Sequence, residues 1–139
     1  MILMGCSGKR VDYVGIKNGE LTPCPGSPNC VSSQSVEKNH YVEPLIYIST
    51  KDEAYSKLKD VIKNMKYTKI IEENEKYVHV EFISAIFRFV DDVEFYLDDD
   101  NKTIHLRSAS RTGYYDFGAN RKRIELIRKM FTSDGDDLN

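Results

Sequence analysis

Residues 67–110 constrain the fold more than any other stretch, because they hold four apolar-alternating runs separated only by short turn signals. Tyr67 to Glu72 reads as one strand and Glu73-Asn74-Glu75 as a turn. Val78, Val80 and Phe82 alternate with Tyr77, His79 and Glu81, giving a second strand. Phe87 to Leu97 is a long third, Asp98-Asp99-Asp100-Asn101 a turn, and Thr103 to Ser110 a fourth. Side chains alternate across a strand, so a period of two marks a half-buried sheet. Sequential strands joined by such short turns pair as an antiparallel meander.

A helix is expected on each side of this block. Pro44 to Ser49 reads as a strand, and Thr50-Lys51-Asp52-Glu53 as a capping box in which Thr50 and Glu53 satisfy each other's amides. Ala54, Leu58, Val61, Ile62 and Met65 follow helical spacing, placing a helix over about 51–65. Ile124, Ile127 and Phe131 mark the buried stripe of a last helix, over about 118–131, with Asp116 as its N-cap. The order β-α-β-β-β-β-α predicts an α+β, two-layer domain with both helices on one face of the sheet. It is similar to a half-repeat of the TATA-binding-protein fold, an architectural likeness that implies no DNA binding.

The 139 residues suit one domain, expected over 22–132, with 1–21 as signal remnant and tether and 133–139 as an acidic flexible tail. Twenty Lys plus Arg against 22 Asp plus Glu leave a net charge of −2, which argues against a general nucleic-acid binder. No apolar run approaches the roughly 20 residues of a membrane helix.

The third strand has a polar interruption. Phe87, Phe89, Asp91, Val93, Phe95 and Leu97 share the face expected against the core, so Asp91 must be paired or hydrogen-bonded there. Arg88, Asp92, Glu94 and Tyr96 fall on the face expected to be solvated, unless a bulge at Asp91-Asp92 exchanges the two. Ile104 and Leu106 share a face with Ser108 and Ser110, and a hairpin centred near Asp99 sets Ser108 roughly opposite Asp91. His105 and Arg107 take the other face, where Arg107 can pair with Asp92 or Glu94. Asn120 points inward at the positive end of the last helix, near Arg111, Arg121 and Arg123, an arrangement suited to an anion. The candidate ligand-binding set is therefore Asp91, Ser108, Ser110, Arg111, Asn120 and Arg121. The competing reading is a buried structural network in which Asp91 pairs with Arg111 or Arg121. His79 and His105 are expected on exposed strand faces, His40 lies far from both, and neither a metal site nor any other cofactor is expected.

Met1-Ile2-Leu3-Met4-Gly5-Cys6 looks like the end of a bacterial lipoprotein signal, with Gly5–Cys6 as the cleaved bond and lipid on Cys6. Only five residues precede Cys6, fewer than the h-region of about 7–15 that such a signal needs. Cys24-Pro25-Gly26-Ser27-Pro28-Asn29-Cys30 is a tight loop that brings two thiols within disulfide reach. An oxidising envelope favours a Cys24–Cys30 bridge; free thiols, zinc and a redox pair are the alternatives.

Five ordered motifs then match one family: Pro23 to Ser33; His40-Tyr41-Val42-Glu43-Pro44-Leu45; Phe87 to Phe95; Arg107-Ser108-Ala109-Ser110-Arg111; and Gly118-Ala119-Asn120-Arg121-Lys122-Arg123. Over residues 22–131 the chain resembles the domain-of-unknown-function family 1499. The resemblance implies a small bacterial envelope protein, in many members a lipoprotein, and brings no activity or cofactor. The expectation is a non-enzymatic envelope module that binds an envelope ligand or partner protein and is held to the membrane by lipid on Cys6, facing the periplasm or exterior. The alternative is a small hydrolase or transferase using Asp91, with Arg111 holding an anionic substrate and Ser108 or Ser110 as further catalytic candidates. An exposed apolar patch at Tyr114, Tyr115 and Phe117 would favour a protein partner.

Overall fold

The computed structural model describes residues 12–84 and 86–136, the last three as backbone only. Cys6 and residues 137–139 lie outside them. The elements run β1 (Ile16–Lys17), β2 (Glu20–Leu21), β3 (Cys30–Ser32), β4 (Leu45–Ile46), α1 (Lys51–Lys63), β5 (Thr68–Glu73), β6 (Tyr77–Ile83), β7 (Val90–Asp98), β8 (Thr103–Ser110) and α2 (Ala119–Asp136). β1 and β2 form a small hairpin. The main sheet has the order β3-β8-β7-β6-β5, with β4 also on β8, and every ladder in it is antiparallel. The four-strand meander forms as expected, and two short strands extend it along β8.

The capping box forms: Thr50 accepts from the Glu53 amide and the Glu53 carboxylate accepts from the Thr50 amide. At α2, Asp116 accepts from the amides of Gly118 and Asn120. Ala54, Leu58, Val61 and Ile62 of α1 and Ile124, Ile127 and Phe131 of α2 pack on one sheet face against Val78, Val80, Val93, Phe95, Ile104 and Leu106. This is an α+β fold with both helices on one side.

Three expectations are corrected. β7 starts at Val90, so Phe87 and Phe89 lie outside the core, 72% and 56% exposed. Ser84 closes the turn instead, through backbone bonds with Arg88 and Phe89, and Arg88 takes a left-handed conformation (φ 59°). The β7–β8 hairpin pairs Asp98 with Thr103, setting its centre later than Asp99; Asp91 therefore faces Ser110, and Ser108 faces Val93. The face expected to be solvated is buried: His79, Glu81, Asp92 and Glu94 are fully enclosed and Arg107 nearly so. Residues 12–21, read from sequence as part of a tether, are held to that side of the sheet through Tyr13 and Gly15.

Candidate ligand site

The register builds a charged grid on the sheet face away from the helices. His79 lies beside Glu94, which lies beside Arg107; one row along, Glu81 lies beside Asp92. Arg111 leaves β8 and reaches back over this grid. Its Nη2 donates to Glu81 at 2.7 Å and to Asp92 at 2.6 Å, and its Nε to the second Asp92 oxygen at 3.0 Å. His79 Nε2 stands 2.8 Å from Asp92, and the Tyr13 hydroxyl donates to Asp92 at 2.7 Å. Glu94 accepts from Tyr77 Oη at 2.6 Å and from the Gly15 amide at 2.7 Å, with Arg107 at 3.6 Å. A strap from Tyr13 to Gly15 is thus pinned to the two central acids, and Leu21 fixes its far end to Gln34.

Burial sets the electrostatics. It would raise the Asp92 pKa, but bonds from His79, Arg111 and Tyr13 outweigh it and hold the carboxyl at about 2. Glu94 goes the other way: its burial raises the pKa beyond what Tyr77, Gly15 and Arg107 restore. Burial also pushes the Tyr13 phenol up, with Asp92 adding to the effect. Arg107 is shifted down, again by burial first. Its Nε and Nη1 have no hydrogen-bond partner among the described residues, and neither does Glu94 Oε1.

Beside this grid, under the proline-rich loop, is a cavity of about 350 Å³. Arg107, Arg111 and Tyr13 form its polar side, Pro23 and Cys30 are among its apolar walls, and Ser110 is also among its lining residues. The Cys24–Cys30 disulfide, with Cα atoms 5.7 Å apart, closes the loop above it. A second depression, about 420 Å³, is lined among the described residues by α1 alone. Cavities of a few hundred Å³ with a few convergent polar groups suit small molecules.

The sequence-derived set divides between the two faces. Asp91 accepts from Arg123 at 2.7 Å, rather than from Arg111 or Arg121. Ser108 donates to Asn120 at 2.6 Å, and Asn120 donates to Ser110, Asp116 and the Asn29 carbonyl. Arg121 donates to the carbonyls of Asn39 and Tyr41. The helix-terminus amides expected to meet an anion meet Asp116 instead. Asp91, Ser108, Asn120 and Arg123 therefore form a packed cluster on the helix side, whereas Arg111 sits on the other face. Ser110 and Arg111 alone of the six reach the cavity. Arg107, Asp92 and Glu94 were placed correctly on one face, but their burial was not foreseen. The signal was the row in which Glu94 faces His79 on β6 and Arg107 on β8; the strap that covers it comes from a distant part of the chain.

The fold and this cavity define a small α+β domain with a buried ionic layer and a disulfide-closed loop over a pocket. A family model described as "Protein of unknown function (DUF1499)" matches residues 20–131, and the chain belongs to that family. No curated protein and no solved structure matches the chain.

Proposed function

We propose that the domain is a non-enzymatic binding module of the bacterial cell envelope, held at a membrane through lipid on Cys6, whose ligand enters the cavity beneath the Cys24–Cys30 loop. The observation that carries the binding reading is the chemistry of the lining. Among the described residues, the ionisable lining groups are two guanidiniums and the Tyr13 phenol, whose pKa is raised, and none is a carboxylate, histidine or free thiol. General acid–base chemistry near neutral pH needs a group poised to exchange a proton there, and nucleophilic chemistry needs an activated thiol, hydroxyl or amine. Guanidiniums only donate, so the fitting ligand is a small molecule bearing a carboxylate or other acceptor oxygen. The hydrolase alternative needs Asp91 and Arg111 together, and they lie on opposite faces of the sheet, each paired elsewhere.

The test is thermal unfolding with a panel of small carboxylates, N-acylated amino acids and inorganic phosphate. A true ligand at a hundredfold excess over its Kd stabilises by about 2.7 kcal/mol, a shift of several degrees. Ala109→Leu, which fills the cavity from its floor, is expected to abolish the shift. A ligand shift unchanged in that variant removes the cavity from the account.

A further inference from the structure

The two ends of the sheet carry opposite chemistry. The described residues of four connections meet at one end: 22–29, 64–67, 84 with 86–89, and 111–118. The pairings Ile83 with Val90, Asp91 with Ser110 and Cys30 with Ala109, and the bond from the Ile83 amide to the Tyr67 carbonyl, place them together. In sequence these connections hold Lys66, Arg88 and Arg111 against one carboxylate, Asp116; Arg111 is turned onto Glu81 and Asp92, and Asp116 is folded back onto the first amides of α2, so the exposed charges are Lys66 and Arg88. The opposite end, made of residues 47–50 with the start of α1 at 51–53, and of residues 74–76 and 98–102, carries Asp52, Glu53, Glu75, Asp98, Asp99 and Asp100 against three lysines.

The same end displays aromatic rings. Tyr67, Phe87, Phe89, Tyr114, Tyr115 and Phe117 are between 55% and 80% exposed, and Ile86 stands beside them at 83%. Tyr41 apart, every exposed aromatic ring among the described residues lies in these loops. Phe87 stacks on Phe89 at 5.6 Å, and Tyr115 meets Phe117 edge-on at 4.9 Å, so the rings pair with each other while staying open to solvent. Tyr67, Arg88 and Phe117 hold left-handed backbones (φ 61°, 59° and 54°), a conformation disfavoured for residues with a Cβ. Clustered exposed rings of this kind mark an interaction surface.

The start of the chain indicates what this end faces. The strap runs from Tyr13 on Asp92 to Gly15 on Glu94, which is away from the loop end. The first described residues, Asp12 and Tyr13, therefore lie on the loop-end side of the strap. Cys6 precedes Asp12 by six residues, a span of at most about 20 Å. We propose that this loop end is a membrane-docking surface, its aromatic rings seated at headgroup level in an anionic bilayer with Lys66 and Arg88 against the lipid phosphates. Tyrosines favour that interfacial depth, and basic side chains add attraction to anionic lipid. The anchor reading supplies only the orientation; the surface chemistry is independent of it.

The chain has no tryptophan, so single reporters test the proposal. Full-length protein carrying Cys6→Ser, which takes no lipid, is given Phe87→Trp, Phe117→Trp or, at the far end, Ile48→Trp. Each is mixed with phosphatidylglycerol/phosphatidylethanolamine vesicles with and without brominated tails. The expected result is a blue shift and bromine quenching for the first two reporters and neither for the third. Adding Phe89→Ser to the Phe87→Trp protein is expected to weaken vesicle binding about tenfold. No spectral change in either loop reporter, or the same change in all three, overturns the proposal. So does a blue shift that grows with protein concentration without vesicles and sediments as a dimer, which would assign the surface to a second copy. Lipid on Cys6 is read separately, by mass spectrometry of the wild-type protein from the envelope fraction, so the two readings fail independently.

Discussion

Arg111 joins two buried carboxylates from adjacent strands, with two donors on Asp92 and one on Glu81. Removing the guanidinium takes the main countercharge from two buried carboxylates, with His79 and Tyr13 remaining on Asp92. Arg111→Ala is therefore expected to lower the unfolding free energy by about 3–5 kcal/mol, read from urea denaturation. Arg111→Lys should restore only part of it, because one ammonium cannot reproduce the planar fork; full rescue would show that charge alone suffices. The acids also set the pH dependence. Asp92 titrates at about 2 when folded against about 3.9 for an unperturbed Asp. Between those values the unfolded chain binds more protons, so stability rises with pH there, on the order of 2 kcal/mol from this group. Glu94 has the opposite sign. Its pKa is raised by burial, so its contribution falls as pH climbs from the ordinary glutamate value through the folded one. Asp92→Asn should flatten the acid limb below about pH 4, and Glu94→Gln should remove the decline above the ordinary glutamate range, both read as urea midpoints against pH.

Elements differ in how much of their structure is local. Both helices were legible because their signals are carried by neighbours in sequence: Thr50 and Glu53 cap α1, Asp116 caps α2, and the apolar stripes repeat at helical spacing. Asp116→Ala is expected to cost about 1 kcal/mol, seen as earlier fraying of α2 in amide exchange. The disulfide was legible as a default from two thiols in a proline-rich loop, and it forms. It encloses few residues, so replacing both cysteines by alanine should cost about 2 kcal/mol by loop entropy, with a larger effect on ligand binding, since the bridge shapes the cavity wall. Binding unaffected by the double change would detach the loop from the site. Strand ends were less legible. Phe87 and Phe89 continue the alternation of β7, yet Ser84 caps a turn that excludes them, because a hydrogen-bonded loop overrides a pattern extended by two residues.

At the scale of the molecule, one sheet separates two interiors of different kinds. The helix side is apolar, with a polar cluster at Asp91, Ser108, Asn120 and Arg123 where α2 begins. The other side is ionic and is closed by a strap from the chain's start. Among the described residues no helix is long and apolar enough to cross a membrane. The sequence by itself determined the meander, both helices, their caps, the core stripe and the faces on which Asp91, Asp92 and Arg107 stand, because each rests on contacts a few residues apart. Only the tertiary structure decided which charges meet. Asp91 took Arg123, Arg111 crossed to Asp92 and Glu81, and Tyr13 sealed the far face. Alternation assigns a side chain to a face, but burial of that face depends on what packs over it, and here the cover lies some 80 residues from the strand it protects.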